Sequence, residues 1–492
     1  MASQVSPGVV IRERDFSNAV VVGASAIRGA FASSFRTGPV GKIVNIGSER
    51  ELIDTFGSPA EANAADWLVA AEFLRYGGQL GVVRAATAVL NATLSSGAGV
   101  LIADKDAFDA GVTSEKFAAR YAGTEGNNLR VVIVDKVADS KMTKAGHGLS
   151  VGDALDDGTT SDHEVTAVID ANTVAIRHGA AAAVTGNGYT RAAFTASDYN
   201  ALPIADTGLT YKAIAPRPGT SAWATERFIS DDEVHVAVVD TATNTIVERM
   251  TYLSKLSDAK TPEGASAYWK DYVNEYSGYI YAGAALSAAE VTTLGADPGA
   301  AAASYNATSG AGAVSLALIR SDAGGALSGG ADDYAYTAGE IQSAYDEFLD
   351  TEQTTIDFVL MGGDGANEAD TIAKAQAVAA VANSRKDCIA FISPWTGAQV
   401  ASSGGSALTP AEQLSRTVGF MDNIASSSYV VLDSGVKYTY DRFNDKYRYI
   451  GCNGDVAGLC VSTSASLDDW FSPAGLNRGG IQNVVKLAFN PN

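Results

Sequence analysis

The chain has 492 residues, of which 46% are hydrophobic and 18% charged, and its formal net charge is −21. This length exceeds the ~250–300 residues at which a single hydrophobic core stops growing, so we expect several domains. The composition excludes collagen-like and broadly disordered chains. The excess of acidic residues argues against a nucleic-acid-binding protein, because gripping the phosphate backbone requires a surplus of Lys and Arg.

The number of cysteines and the lengths of the apolar runs indicate the cellular compartment in which the chain is made. The three cysteines are Cys388, Cys452 and Cys460, and none forms a C-x-x-C pair. Cys452 and Cys460 are spaced to meet across a hairpin, whereas such low usage favours buried thiols in a reducing compartment. Residues 1–20 lack the apolar stretch of a secretory signal, and no run approaches the ~18–20 residues of a membrane span. The sequence indicates cytoplasmic synthesis without membrane insertion.

Residues 5–13 have the pattern of an extended terminal segment. A Pro-Gly pair is followed there by the β-branched run Val9, Val10 and Ile11. Such a strand either forms the edge of its own sheet or adds to a sheet in a neighbouring molecule.

Strands and helices alternate over the next seventy residues. A strand is predicted at 42–46, followed by a helix that Ser48 and Glu51 begin as a capping box and Gly57 ends. A second helix is predicted at 62–76 and a strand at 81–85. This order is typical of an α/β arrangement.

The middle of the chain changes to β-type patterns. A strand is predicted at 130–135 and a β-rich insertion at 138–196, with strands at 163–169 and 173–176. His147, His163 and His178 fall in this insertion. Because their spacing matches no zinc motif, we interpret them as ordinary surface histidines.

Two further strands, at 233–239 and 245–250, are predicted to form a hairpin through 241–244. An aromatic cluster follows, which is either a binding platform or a packed helix-to-strand face. The scarcity of basic neighbours favours packing. Its members are Tyr268, Trp269, Tyr272, Tyr276, Tyr279 and Tyr281. The Gly- and Ala-rich residues 295–330 indicate a loop or linker.

The α/β pattern returns after residue 335. Thr337 and Glu340 form a second capping box that starts a helix. A buried strand at 356–361, a glycine turn at 362–365, a helix at 368–383 and a strand at 388–392 then predict a right-handed βαβ unit.

The glycine turn invites a phosphate-binding hypothesis, because a helix N-terminus suits an anion. However, Asp364 stands where phosphate would sit, Glu368 and Asp370 lie close by, and the turn matches neither nucleotide-binding glycine motif. The same acids miss the spacing of a calcium loop. We interpret them as turn residues favoured by the helix dipole.

No catalytic pattern emerges elsewhere. The chain has no G-x-S-x-G elbow and no Cys with a neighbouring His. The pairs Asp231–Asp232 and Asp332–Asp333 lie in turn-like sequence, where we expect them to be solvated. The sequence therefore predicts no catalytic, cofactor-binding or metal-binding residue, and a protein that is not an enzyme.

Several separated stretches together resemble the contractile tail sheath proteins of myoviruses. Residues 6–13 resemble the family's N-terminal arm, 73–84 its "nGG…vVR" segment and 121–129 its "ypG..GN.l" segment. Residues 327–333 are similar to the "L.GG.DG" entry into the second half, although Ala331, Asp332 and Asp333 depart from the DG pair. The strongest match runs from 455–461 through 472–475 to 477–480.

The resemblance implies a multidomain protein with an α/β core, α+β overall, and nested insertions that include a small β-rich domain. Residues 1–14 would be an extended arm, and 15–90 plus 335–492 the discontinuous core. Residues 91–137 plus 197–334 would form a middle α+β domain, and 138–196 an outer β-rich insertion.

The implied function is mechanical. Copies of the chain would stack as hexameric rings around an inner tail tube, and contraction would drive the tube through the host envelope during DNA ejection. The implied partners are other copies, the tube, and baseplate and terminator proteins, with no cofactor and no direct nucleic-acid contact, in the virion tail. Candidate subunit-interface residues are Val9, Val10, Ile11, Arg478, Val484 and Lys486.

Two alternatives remain: a surface adhesin or carbohydrate-binding protein that would use 138–196, and, less favoured, a hydrolase or nucleotide-binding enzyme. Apolar residues at 481–489 approach helical spacing, and the chain ends at Asn492. Sheath proteins usually continue into a C-terminal domain and arm that join strands with neighbouring subunits. We therefore expect a truncated chain whose assembly domain is missing.

Overall fold

The computed structural model describes residues 27–85, 88–94, 98–111, 114–155, 163–178, 188–309, 313–401, 406–476 and 478–489. These residues form helices and several separate sheets, so the predicted α+β, multidomain fold class is confirmed. The predicted segment at 5–13, with Val9, Val10 and Ile11, lies outside the described residues.

The strands are β1 (Arg28–Ser33), β2 (Ile43–Ile46), β3 (Gln79–Arg84), β4 (Phe117–Ala119), β5 (Leu129–Val134), β6 (Ser140–Thr143), β7 (Ala154–Leu155), β8 (His163–Asp170), β9 (Thr173–His178), β10 (Thr190–Ala193), β11 (Ile229–Ser230), β12 (Glu233–Asp240), β13 (Thr245–Ser254), β14 (Ile280–Ala282), β15 (Val314–Ser315), β16 (Gly325–Ala326), β17 (Phe358–Leu360), β18 (Ile389–Ile392), β19 (Val430–Leu432), β20 (Val436–Asp441), β21 (Lys446–Gly451) and β22 (Lys486–Leu487).

The α-helices are α1 (Glu49–Phe56), α2 (Ala64–Arg75), α3 (Lys105–Gly111), α4 (Ala196–Ala201), α5 (Ala222–Thr225), α6 (Trp269–Tyr276), α7 (Ala338–Asp346), α8 (Glu368–Arg385), α9 (Thr396–Gln399), α10 (Pro410–Met421) and α11 (Asn453–Ser466).

The largest sheet interleaves strands from the two ends of the chain. Its order is β19-β18-β17-β1-β3-β2, and only β2 runs antiparallel. The predicted βαβ unit corresponds to β17, α8 and β18, and its strands are parallel. Since β1 lies beside β17, residues on either side of the middle of the chain build one core.

Helices cover both faces of this sheet. Ala30 and Ala32 face a cluster that includes Tyr345 of α7 and Val378 of α8. Phe31, between them, faces the opposite cluster with α1, α2 and α11. The alternation of neighbouring residues between the two faces is the two-residue period of a strand.

The helix starts agree with the sequence, with one shift. Thr337 and Glu340 form the predicted capping box of α7. Ser48 accepts the Glu51 N–H at 3.2 Å, but the Glu51 carboxylate accepts from Gly47 rather than from Ser48. The first cap therefore closes one residue earlier than predicted.

The middle region has its own antiparallel sheet, in the order β13-β12-β5-β16. Asn244 adopts a φ of 54° in the predicted β12–β13 hairpin turn. In the aromatic cluster, Trp269 and Tyr281 are buried, whereas Tyr276 and Tyr279 are exposed. Packing therefore accounts for the buried members of the cluster.

The outer sheet contains β10-β6-β9-β8-β7 and is antiparallel throughout. It is joined to the middle region by buried charges. Glu164 pairs with Arg320 and accepts the Thr293 N–H at 2.7 Å. Arg177 lies 3.1 Å from Asp139 and 3.2 Å from Asp231.

Two surface predictions are wrong for the same reason. His163 is 1% exposed rather than a surface residue, and Asp231 and Asp232 are buried rather than solvated. Asp232 accepts the Ser221 N–H at 2.8 Å and the Ser254 hydroxyl at 2.7 Å. His163 is buried as the first residue of β8, and Asp232 through contacts with residues more than ten positions away, which local sequence does not reveal.

Candidate subunit interface

The C-terminal helix α11 packs against α2 through two glycines. A β-carbon at Gly454 would lie 2.5 Å from the Val69 carbonyl oxygen, and one at Gly458 would lie 2.3 Å from the Tyr76 ring. Because glycine has no side chain, the two helix backbones approach more closely than other residues permit. Gly458 of the strongest sheath-like stretch, and Gly454 just before it, are thus packing residues inside a helix, whereas Gly475 of the same stretch lies outside the helices with a φ of 131°.

A buried ionic network lies where α2, α11 and β20 meet. The Lys437 ammonium is 2.8 Å from Asp455 and 3.6 Å from Glu72, and all three side chains are nearly inaccessible. Tyr76 donates to Asp455 at 3.2 Å. Burial raises the pKa of Asp455 to about 6, although Lys437 opposes that rise.

This network holds the last described segment, residues 478–489, which we call the strap. The Gln482 N–H donates to the Tyr76 hydroxyl at 2.9 Å, and Lys437 donates to the Gln482 carbonyl at 3.1 Å. The Asn483 amide donates to Glu72 at 3.1 Å. The buried side chains therefore bind the Gln482 backbone and leave the Gln482 side chain exposed.

The strap then adds an edge strand. Tyr438 pairs with Lys486, and the backbone N–H groups of Val485 and Ala488 donate to β20 at 2.9 and 2.8 Å. The expectation of a helix from the spacing at 481–489 is wrong. Asn483 has a φ of 50° at the start of the segment, and β20 offers backbone partners that an isolated sequence does not show.

The strap carries three predicted interface residues. Arg478, Val484 and Lys486 are all exposed, whereas Val9, Val10 and Ile11 lie outside the described residues. Neighbouring apolar side chains are also exposed, which is uncommon on this scale in a monomer. Their exposed fractions are 77% for Trp470, 106% for Leu476, 62% for Val485 and 49% for Leu487.

Other sheath-like stretches meet at the joint between the core sheet and the middle region. Arg84, fully buried, donates to the Gly38 carbonyl at 3.0 Å and the Ala122 carbonyl at 2.8 Å. Asp332 accepts the Thr124 N–H at 2.8 Å and its hydroxyl at 2.7 Å. Asp332 therefore ties two of the stretches together.

The acids of the glycine turn do not share one role. Asn367, not Asp364, caps α8. Asp364 instead accepts the Thr396 N–H at 3.1 Å, and burial raises its pKa to about 7. Interpreting Asp364 as an acid at the helix start is therefore wrong, because its carboxylate bonds to the first residue of α9 instead.

The thiols are poorly suited to chemistry. All three cysteines are free, and burial raises the pKa of Cys388 to about 12 and that of Cys452 still further. Such thiols stay protonated and unreactive at neutral pH.

Within the part of the chain that the structure describes, no group of His, Cys, Asp and Glu is arranged to hold a metal. Among the described helices, none is long and apolar enough to cross a bilayer.

No protein-family model matches the chain. Two solved structures of sheath tail proteins do match. One, from Desulfitobacterium hafniense, is 11% identical, with 98% of this chain and 67% of that chain covered and a TM-score of 0.37. The other, from Listeria innocua, is 10% identical, with 91% and 80% covered and a TM-score of 0.34.

Curated relatives match at higher identity and over almost the whole sequence. The tail sheath protein of Vibrio phage KVP40 is 26% identical over 98% of this chain and 77% of its own length. That of Enterobacteria phage T4 is 27% identical over 98% and 76%. That of Salmonella phage ViI is 26% identical over 100% and 75%. The predicted resemblance is confirmed: this chain is similar over nearly its whole length to three tail sheath proteins of myoviruses.

Proposed function

We propose that the chain is a structural, non-enzymatic subunit of a contractile phage tail sheath. The observation that carries this proposal is the similarity to three phage tail sheath proteins over 98–100% of the chain. In this proposal, copies stack as hexameric rings around the tail tube in the virion. Contraction drives the tube through the host envelope during DNA ejection, with baseplate and terminator proteins at the ends of the sheath.

The domain division forms part of the proposal. The arm is 1–14, the core 15–90 plus 335–492, the middle domain 91–137 plus 197–334 and the outer insertion 138–196. The interleaved sheet supports a discontinuous core, because β1 and β17 are adjacent. The outer sheet, whose strands run from 140 to 193, supports the insertion.

The strap supports a role in self-association. It presents Arg478, Val484 and Lys486 to solvent while its backbone is held by the buried Lys437 and Tyr76. We propose these three exposed residues as subunit contacts. An exposed segment anchored to a rigid core suits a protein that assembles with copies of itself.

Electron microscopy of purified particles labelled with an antibody against this chain tests the proposal. We expect label along the whole tail, with the labelled length shortening when contraction is triggered. The length of the tail tube in the same micrographs serves as control, because it stays constant while the labelled sheath shortens. Label confined to the capsid or to tail fibres contradicts the sheath function.

A further inference from the structure

Four tyrosines form a ladder across the β20–β21 hairpin, and we call this set the tyrosine plate. Tyr438 lies opposite Tyr449, and Tyr440 lies opposite Tyr447. Their ring centroids are 4.5 and 5.1 Å apart, and a diagonal contact of 5.4 Å joins Tyr438 to Tyr447. Directly opposed residues share a face of the sheet, so all four rings lie on one side.

That side faces solvent. The intervening residues Lys437, Thr439 and Asp441 are buried at 0–2% exposure. In contrast, Tyr440 is 47% and Tyr447 54% exposed. Packing within the chain therefore fills the opposite face of the hairpin and leaves the plate open.

The strap supplies a cation to the plate. The Lys486 ammonium lies 5.1 Å from the centre of the Tyr438 ring and 5.8 Å from that of Tyr449. These distances are within the range of a cation–π contact. Val484, two residues earlier on the strap, is 40% exposed.

The composition of this surface indicates its partner. Exposed tyrosines are enriched at protein interfaces, and a phenol hydroxyl donates readily to a carboxylate. Tyr440 already donates to Asp445 at 2.5 Å, which illustrates that pairing. A surface complementary to the plate and Lys486 is therefore acidic and carries an apolar residue. Because the chain has a net charge of −21, a second copy can supply such an acidic surface.

A segment that begins at the end of α7 has this composition. In residues 346–352, Asp346, Glu347, Asp350 and Glu352 are exposed, and Leu349 is 39% exposed. We propose that the tyrosine plate with Lys486 is a docking surface for segment 346–352 of a second copy of this chain. This inference rests on the proposed function and names the partner segment of the candidate interface.

A charge exchange tests the pairing in the full-length chain. Lys486→Glu is expected to weaken self-association by roughly tenfold, measured by sedimentation velocity, as loss of a strong interface contact does. The double variant Asp350→Lys with Glu352→Lys is expected to weaken it similarly. Combining all three substitutions restores it. Lys446→Glu is the matched control, because Lys446 pairs with Glu61 of its own chain, so association stays close to wild type.

Removing the rings tests the plate itself. Tyr440→Ser with Tyr447→Ser is expected to lower self-association by at least roughly tenfold, while the thermal unfolding midpoint shows that the chain remains folded. Variants that associate as the wild type does overturn the docking surface and leave the sheath proposal standing. Variants that lose only binding to the tail tube likewise overturn the docking surface and leave the sheath proposal standing. Both proposals are overturned if the wild-type chain stays monomeric with the tube present and the antibody against it does not label tails.

Discussion

Gly458 of α11 lies directly against the ring of Tyr76, so that a β-carbon at 458 would sit 2.3 Å from Cδ2. We therefore expect Gly458→Ala to lower the free energy of unfolding by about 1–3 kcal/mol, because the two helices must separate to admit a methyl group. Denaturation by urea, followed by circular dichroism, measures this change.

Gly419, in helix α10, is the matched control for that substitution. A β-carbon there meets nothing within 4 Å. Gly419→Ala is expected to leave stability unchanged or to raise it by about 0.5–1 kcal/mol, since alanine restricts the unfolded chain. Equal effects of the two substitutions would show that close helix approach is not the reason for Gly458.

Lys437→Met tests the buried ionic network. The substitution leaves Asp455 and Glu72 buried without their cation, which is expected to cost about 3–5 kcal/mol in the free energy of unfolding. Lys446→Met, at an ion pair in which both side chains are 58% exposed, is expected to cost less than about 1 kcal/mol. Urea unfolding of both variants checks the difference. Similar losses in the two would refute the role of the network.

Tyr76→Phe tests how the strap is held. It removes the acceptor of the Gln482 N–H and the donor to Asp455. Hydrogen–deuterium exchange of the strap amides, particularly at Gln482, Val485 and Ala488, is expected to accelerate by up to roughly tenfold, as loss of about one hydrogen bond predicts.

The control for the strap experiment is Tyr440→Phe, which removes an exposed hydroxyl bonded to Asp445. This variant should leave exchange in the strap unchanged. Unaltered protection in Tyr76→Phe would mean that β22 pairing alone retains the segment.

Asp433→Asn tests the pH dependence of stability. Asp433 accepts the Gly435 N–H and the Ser393 hydroxyl, each at 2.8 Å, and burial raises its pKa to about 7. The folded state thus binds this proton more tightly than the unfolded state, in which the pKa of Asp is ~3.9. As the pH falls from 8 to 5, the wild type is expected to gain about 1–3 kcal/mol relative to Asp433→Asn.

Urea unfolding at the two pH values measures that gain, with Asp54→Asn, at an exposed position on α1, as control. Parallel pH profiles for the wild type and Asp433→Asn would show that Asp433 remains ionised across this range.

Local patterns predicted much of the core. Thr337 with Glu340 marked the start of α7, and the apolar run after residue 356 marked β17, because caps and buried strands are set by nearby residues. The strap was missed, since its conformation depends on β20 and on Tyr76, about 400 residues away. The burial of Asp232 and His163 likewise comes from packing between segments that are distant in sequence.

The sequence predicted six candidate interface residues, three in the N-terminal segment (Val9, Val10 and Ile11) and three in the C-terminal stretch (Arg478, Val484 and Lys486). The alternation of tyrosines at 438, 440, 447 and 449 was a readable signal for one face of a hairpin. The sequence did not show which face of the β20–β21 hairpin is buried. Lys437 and Asp441 occupy the covered side, and polar residues at those positions suggest the opposite orientation.

The interleaved core sheet also affects the order in which parts of the chain can fold during translation. Arg28 donates through its backbone to Asp357, 329 residues later. The middle sheet, from β5 to β16, pairs within 129–326 and is complete once that part has left the ribosome. The core sheet cannot be completed until β19 has emerged from the ribosome. We therefore expect the inserted region to fold first and the two halves of the core to associate last.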